Sequence, residues 1–326
     1  MSLSEFTLID RYFAAQALRR GDVVIGIGDD AAVVEMPAGQ QLVVAADTLV
    51  AGVHFPVSAD AADIGHKALA VNLSDLAAMG ARPAWATLAL TLPAADAAWL
   101  EPFARGLFAL ADRAGVALVG GDTTRGPLTI TLQMLGWVPK GAALRRAGAR
   151  PGDPIYVSGS LGDAALALRL LSGELTAGDE ARAQIEARLH RPEPRLALGE
   201  RLRGVASAAI DISDGLLADL GHLLDASGVG ATLWADRLPR SAAFRSVVPG
   251  PQMPAWFELP LAGGDDYELC FTVPLSQVPV LTSLADELGL PLTAIGEIQA
   301  EPGLRCLGDD GRDVATARRG YEHFGG

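Results

Sequence analysis

Lysine and cysteine are scarce in this chain and long apolar runs are missing, and each scarcity narrows what it can be. Lys67 and Lys140 are the only lysines, so nearly all positive charge is arginine. Acidic residues number 39 against 26 basic ones, a formal net charge of -13. That balance argues against a general nucleic-acid binder and suits a protein that collects cations. Cys270 and Cys306 show no CxxC spacing and no evident histidine partners. Cys270 sits in the apolar run Tyr267–Phe271, where a buried thiol is expected, and a reducing compartment is the simplest inference. No unbroken apolar run reaches the roughly 18 residues of a membrane span. The first residues include Glu5 and Asp10 and lack a cleavable signal pattern, so a soluble cytoplasmic protein is expected.

What is present is a globular chain of 326 residues, half of them hydrophobic, long enough for two domains with separate cores. Its organising stretch is Gly120–Gly126, Gly-Gly-Asp-Thr-Thr-Arg-Gly, between an apolar run at Val116–Val119 and an alternating one at Leu128–Leu132. Both flanks read as strands. Two glycines allow a ligand close to the backbone, Asp122 offers a carboxylate at a strand end, and Arg125 offers a fork for phosphate. A polar hairpin loop is the plainer alternative.

In chain order, Ser4–Ala17 reads as a helix with Ser4 as its N-cap. Gly26–Val34 begins like a phosphate loop but lacks the lysine of a P-loop and the third glycine of a dinucleotide fingerprint; its paired carboxylates, Asp29 and Asp30, suggest a hard cation. A strand at Gln41–Ala46 stops at Asp47, and His54 follows between apolar neighbours, either hydrogen-bonded structurally or facing a substrate. Asp63–Gly80 reads as an apolar helix carrying Asp75, with Asn72 one turn earlier. A carboxylate there needs a partner, either a metal or an arginine such as Arg82. A strand at Ala86–Leu92 and a helix at Asp96–Ala114 lead to the central stretch.

After a strand at Thr129–Val138 the composition turns to glycine, arginine and proline, which places a domain boundary near residue 140. Residues 1–140 form the first expected domain and 141–326 the second. The strand at Ile155–Gly159 and the turn at Gly162 lead into a helix, a combination able to bind an anion. Helices are also expected at Glu180–Leu189 and Ala197–Leu202. A short strand at Ala208–Ile210 leads to Asp211-Ile212-Ser213-Asp214-Gly215 and a helix at Leu216–Ser227. Ser213 or Asp214 could cap that helix, which leaves Asp211 unexplained. Gly263–Leu269 is a second glycine-acid loop before a strand at Cys270–Val273; a helix at Ser283–Leu288 and a strand at Thr293–Ile298 follow.

Asp30, Asp47, Asp75, Asp122 and Asp211 thus stand at strand ends or inside an apolar helix. Sharing one region, they would repel unless cations intervened, and magnesium with ATP phosphates would use such oxygen ligands. With Asp211, Ser213 and Asp214 in the second half, the expected site lies between domains.

Gly26–Ala32, Asp47–Phe55, Asn72–Pro83, Gly120–Gly126, Asp211–Leu216 and Gly263–Leu269 together resemble the thiamine-monophosphate kinase family over nearly the whole chain. The Asn-Leu-Ser-Asp and Gly-Gly-Asp elements are similar across a wider ATP-binding group that includes aminoimidazole ribonucleotide synthetase. The Asp47–Phe55 and Asp266–Cys270 elements point to the kinase. The resemblance implies an α+β fold of two domains, with an N-terminal mixed sheet at a homodimer interface and a C-terminal α/β sandwich. It implies ATP, Mg2+ and the conversion of thiamine monophosphate to thiamine diphosphate. Asp30, Asp47, Asp75, Asp122 and Asp211 would hold catalytic magnesium and Asp214 a further ion. Gly121, Asp122, Arg146 and Ser213 would contact ATP, and His54, Asp265 and Tyr321 the thiamine substrate.

Two departures stand out. Ala45 and Ala46 replace the family's usual hydroxyl residues before Asp47, and Asp265 stands where glutamate is frequent. The phosphate acceptor is already largely deprotonated near neutral pH, so positioning and charge relief, rather than a strong base, should carry an in-line transfer. Other superfamily enzymes, such as the synthetase, are alternatives. Selenophosphate synthetase is disfavoured without a cysteine near the start, and the hydrogenase maturation factor because the sequence closes on Phe324-Gly325-Gly326. A catalytically silent nucleotide- or metal-binding protein is a further alternative, against which the intact carboxylate series speaks.

Overall fold

The computed structural model describes residues 5–17, 19–314 and 320–321. Ser4, expected as an N-cap, and residues 322–326 lie outside that range. The chain divides into two compact units, residues 1–76 with 81–141, and 77–80 with 142–326.

The first unit opens with helix α1 (Glu5–Ile9), which continues as a π-helical turn over Asp10–Ala14. Strands β1 (Val23–Ile25) and β2 (Val33–Val34) form a two-stranded antiparallel ribbon. Then come β3 (Gln40–Val50), α2 (Ala61–Ala78), β4 (Arg82–Leu92), α3 (Ala97–Ala114), β5 (Ala117–Arg125) and β6 (Thr129–Pro139). The main sheet has the order β3-β6-β4-β5, antiparallel except for the β4–β5 pair. Asp96 caps α3 by accepting from the Ala98 N–H at 2.9 Å, and Leu100, Phe103, Leu107 and Leu110 are buried along it.

Alternation along the strands sets the two faces of this sheet. Leu88, Leu90, Ile130 and Leu132 are buried on one, and the intervening Ala89 and Gln133 are exposed on the other. Trp85 and Trp137 meet edge to face at 5.2 Å, packed with Val23 and Val34 of the β1–β2 ribbon. Leu42 and Val44 of β3 each leave 49% of their surface exposed.

Two expectations need correction here. The strand that was to stop at Ala46 runs on to Val50, so Asp47 is inside β3, paired with Leu132. Thr48, Leu49 and Val50 favour extended backbone, and an eleven-residue partner in β6 gives them a complete ladder. Gly120–Arg125 likewise belongs to β5, pairing with Thr87–Leu92, instead of forming a loop. Its ladder partner is the parallel β4 and not the next strand in sequence, a pairing that local sequence does not display.

The second unit contains β7 (Pro154–Ser158), α4 (Asp163–Leu171), α5 (Asp179–His190), α6 (Leu196–Leu202), β8 (Ala208–Asp211), α7 (Leu216–Ser227) and β9 (Gly230–Trp234). It continues with α8 (Ala242–Val247), α9 (Ala255–Ala262), β10 (Leu269–Thr272), α10 (Val278–Leu288), β11 (Leu292–Gln299) and β12 (Gly303–Leu307). Six strands form a mixed sheet in the order β12-β9-β11-β7-β10-β8, with only β12 and β9 parallel. One core packs Ile155, Val157 and Ile210 with Leu216, Leu220 and Leu223 of α7; another joins Leu269 and Phe271 to Leu281 and Leu284 of α10. The architecture is the expected two-domain α+β fold with mixed sheets. No helix among the described residues is long and apolar enough to cross a membrane.

Candidate active site

In the first unit, Gly121 has a φ of 146°, and a Cβ added there would lie 1.9 Å from the Leu88 carbonyl oxygen. Only glycine fits, because the neighbouring strand occupies the space. The close approach inferred from the Gly-Gly pair is therefore at least partly an approach to the sheet itself. Asp122 follows it, exposed, opposite Ala89. Asp47 shares a row of the sheet with Leu132, Leu88 and Gly121, while Asp122 is in the next row. The two carboxylates nevertheless belong to opposite edge strands, about three strand spacings or roughly 14 Å apart along the sheet.

Asn72 ties β3 to α2. Its amide oxygen accepts the Asp47 N–H at 3.1 Å, and its amide nitrogen donates to the Ala68 carbonyl at 3.1 Å. Asp75, one turn further along α2, is half-buried. His54 accepts the Val50 N–H on Nδ1 at 3.0 Å, which fixes its tautomer and ring orientation. Asp30 is exposed, and its N–H donates to the Asp29 carboxylate at 2.8 Å.

In the second unit three distant segments converge. Asp211 ends β8, and the following turn leads into α7 with Gly215 as the N-cap residue, which has no side-chain cap. Ser213 and Asp214 do not cap this helix. Instead Asp219, four residues into it, turns one carboxylate oxygen back and accepts the N–H groups of Ser213, Asp214 and Gly215 at 2.9, 3.0 and 3.1 Å. Burial, with Asp211 and Asp214 nearby, pushes the Asp219 carboxyl up to about 7. Sequence reasoning missed Asp219; an acid in the first turn after a glycine was its signal.

The Asp211–Gly215 turn is bonded to the second glycine-acid loop. Asp265 donates its N–H to the Ser213 carbonyl at 2.8 Å, and Tyr267 donates to that of Ile212 at 2.8 Å. Both have positive φ, 68° and 50°, a costly backbone state for residues other than glycine. The Tyr267 hydroxyl donates to the Asp265 carboxylate at 3.0 Å, fixing the acid that the sequence proposes for substrate. Gly264 is required here, since a Cβ would meet the Ser213 carbonyl oxygen at 2.5 Å. Tyr321, half-exposed, donates its N–H to the Asp214 carbonyl at 2.9 Å. Asp211, Ser213, Asp214, Asp265 and Tyr321 are thus one neighbourhood. Arg146 is exposed, its carbonyl held by the Ser227 hydroxyl at 3.0 Å.

The expected anion-binding start of α4 has an internal occupant. The buried Asp266 accepts the Gly162 N–H on both oxygens, at 3.0 and 2.9 Å. Glu268, also fully buried, accepts from Arg188, Arg195 and the Ser158 hydroxyl.

Among the described residues, no group of three or more His, Cys, Asp or Glu is gathered to hold a metal by itself. The donors still fit magnesium, which takes one or two carboxylates and completes its shell with water and substrate phosphates. Asp211 and Asp214 raise the Asp219 carboxyl, the mark of negative charge concentrated at this turn.

Residues 28–138 match the family model described as AIR synthase related protein, N-terminal domain, and residues 150–308 its C-terminal domain. These matches span most of the chain and define its class as an AIR synthase related protein. The thiamine-monophosphate kinase of Salmonella typhimurium is 50% identical over 326 residues, covering 99% of each chain. The crystal structure of thiamine-monophosphate kinase from Stenotrophomonas maltophilia K279a has a TM-score of 0.87 at 54% identity, covering 96% of this chain and 99% of that one. A structure described as AaThiL complexed with AMPPCP and TMP has a TM-score of 0.76 at 32% identity, covering 99% of both. The chain is an enzyme of the thiamine-monophosphate kinase family.

Proposed function

We propose that this chain transfers the γ-phosphoryl group of ATP directly to the phosphate of thiamine monophosphate, giving thiamine diphosphate and ADP. The carrying observation is the bonded convergence of the Asp211–Gly215 turn with Asp265 and Tyr321, which ties the proposed nucleotide and metal loop to the proposed substrate residues. The relatives' names and the AMPPCP and TMP complex support the same substrates.

In this reading a phosphate oxygen of thiamine monophosphate forms a bond to the γ-phosphorus as the bond to the β-phosphate bridging oxygen breaks. The acceptor phosphate is largely deprotonated near neutral pH, so no side chain need act as a strong base. Gly121, Asp122, Arg146 and Ser213 orient ATP, and the Arg146 fork spreads positive charge over phosphate oxygens. Asp265 faces the thiazolium cation, Tyr321 offers a ring face to it, and His54 completes substrate recognition. Asp30, Asp47, Asp75, Asp122 and Asp211 would hold catalytic magnesium, and Asp214 a further ion. Magnesium, when bound, supplies positive charge between the two anionic reactants. Ala45 and Ala46 supply only backbone carbonyls there.

We further propose a homodimer joined through the β3 face that bears Leu42 and Val44, and a cytoplasmic setting in which Cys270 and Cys306, both free thiols, remain reduced.

Purified enzyme given magnesium-ATP and thiamine monophosphate should yield thiamine diphosphate and ADP in equal amounts. ADP release without thiamine diphosphate would refute the substrate. Inversion at a chirally labelled γ-phosphorus is the expected stereochemistry; retention would overturn direct transfer.

A further inference from the structure

The second unit contains a cavity of about 720 Å³ whose lining includes Arg188, Arg195, Arg240 and Arg245. None of the residues assigned above to ATP, magnesium or thiamine lines it. Four guanidinium groups around one hollow are unexpected in a chain whose formal net charge is -13.

Three carboxylates also line the cavity, and each is engaged. Glu268 holds Arg188 and Arg195. Asp163 accepts the hydroxyls of Ser160 and Ser241 at 2.9 and 2.7 Å, and Asp236 accepts the Asp309 N–H at 2.7 Å. Among the described residues no carboxylate is bonded to Arg240 or Arg245. Arg240 is 7% exposed and donates to the carbonyls of Trp256 and Leu238, both at 2.9 Å, and to that of Ala235 at 3.4 Å. Its guanidinium also covers the Trp256 ring at 4.2 Å from the centroid. Arg245 is exposed, and one Nη1 hydrogen goes to the Arg240 carbonyl while Nε and Nη2 meet no partner among the described residues. Arg188 keeps its buried Nε without a hydrogen-bond partner.

Carbonyl oxygens orient a guanidinium but do not neutralise it. Burial brings the Arg240 guanidinium down to about 10; the nearby Asp236 carboxylate opposes that shift and the neighbouring Arg245 cation adds to it. A planar fork with spare donors suits phosphate oxygens, and the volume exceeds that needed for one phosphate group.

We propose that this cavity is a second anion-binding site, which takes the phosphate of a small phosphorylated metabolite between Arg240 and Arg245. None of its lining residues is among the proposed ATP and thiamine contacts, so its ligand is not required to be either substrate.

The test is a tryptophan-fluorescence titration of the full chain, read with Trp256 in the cavity wall, at constant ionic strength set with chloride. Probes are inorganic phosphate, ribose 5-phosphate and AMP, and proteins are wild type, Arg245→Ala and Arg146→Ala. Arg245 is exposed, so its removal should leave the melting temperature and both Michaelis constants unchanged. Saturable binding is expected in wild type, tighter for the organic phosphates. It should weaken about tenfold or more in Arg245→Ala and stay unaltered in Arg146→Ala. Binding lost in Arg146→Ala but kept in Arg245→Ala would assign the signal to the nucleotide site and overturn the proposal. A response no different from chloride would overturn it too. If Arg245→Ala melts early, Arg245→Lys, which keeps the charge, must retain most of the binding, and its failure to do so counts against the site.

Discussion

Asp219 accepts the backbone N–H of Asp214 at 3.0 Å, so a buried carboxylate fixes the turn on which an expected magnesium ligand stands. The same oxygen holds the N–H groups of Ser213 and Gly215. Asp219→Ala should therefore lower kcat markedly. It should cost about 1–3 kcal/mol of stability, because three lost hydrogen bonds at about 1 kcal/mol each are partly offset by relief of a buried charge. Wild-type turnover in a well-folded variant would show that the turn keeps its shape without the anchor.

Asp122 tests the other unit. It is exposed on β5, so Asp122→Asn should fold and melt as wild type does. If Asp122 holds magnesium as proposed, loss of its charge should reduce kcat by about 100-fold or more. Steady-state rates across a magnesium series decide it, and unchanged rates at limiting magnesium would remove Asp122 from the machinery.

Tyr321 is half-exposed and donates its backbone N–H to the Asp214 carbonyl. If its ring stacks on the thiazolium as proposed, Tyr321→Ala should raise the Michaelis constant for thiamine monophosphate roughly 2- to 30-fold and leave that for ATP alone. A purely structural tyrosine would instead lower the melting temperature and affect both substrates alike.

Asp266 provides a pH signature. Burial holds its carboxyl well above the ordinary value, despite the Gly162 N–H bonds and the Arg188 charge that pull the other way. The folded state then binds a proton that the unfolded chain has released above about pH 4, so this group's contribution declines as pH rises from there to its folded pKa. Asp266→Asn mimics the protonated form. Its melting temperature relative to wild type should rise between pH 5 and pH 8, and a pH-independent difference would contradict the assignment.

The proposed dimer depends on apolar side chains of β3. Leu42→Asp places a charge on a face that would be buried between subunits, and the variant should sediment as a monomer at micromolar concentration. A dimer that tolerates the charge would put the interface elsewhere.

Much of the local structure was legible in the sequence. Helix α7 lies at Leu216–Ser227 as its leucine spacing and the preceding glycine require, and Cys270 is buried in β10 as its apolar neighbours suggest. The misreadings at Asp47 and at Gly120–Arg125 share a cause. Polar residues and glycines were taken to end strands, whereas ladders from β6 and β4 carry the extended backbone through them. Strands β9 and β12 escaped notice for the same reason, since their parallel pairing joins segments about 70 residues apart.

The amino-acid sequence by itself determined which chemistry is available: carboxylates in glycine-bearing motifs, a chain too acidic for general nucleic-acid binding, and the order of elements that marks the family. These depend on residue type and short-range spacing. Only the tertiary structure decided which groups are already spoken for. Asp266 fills the start of α4, Asp219 fills the backbone donors before α7, and Asp47 and Asp122 occupy opposite edges of one sheet. The physical reason is that hydrogen-bond satisfaction and strand adjacency are long-range: whether a carboxylate awaits a ligand depends on which distant N–H or guanidinium has been folded against it.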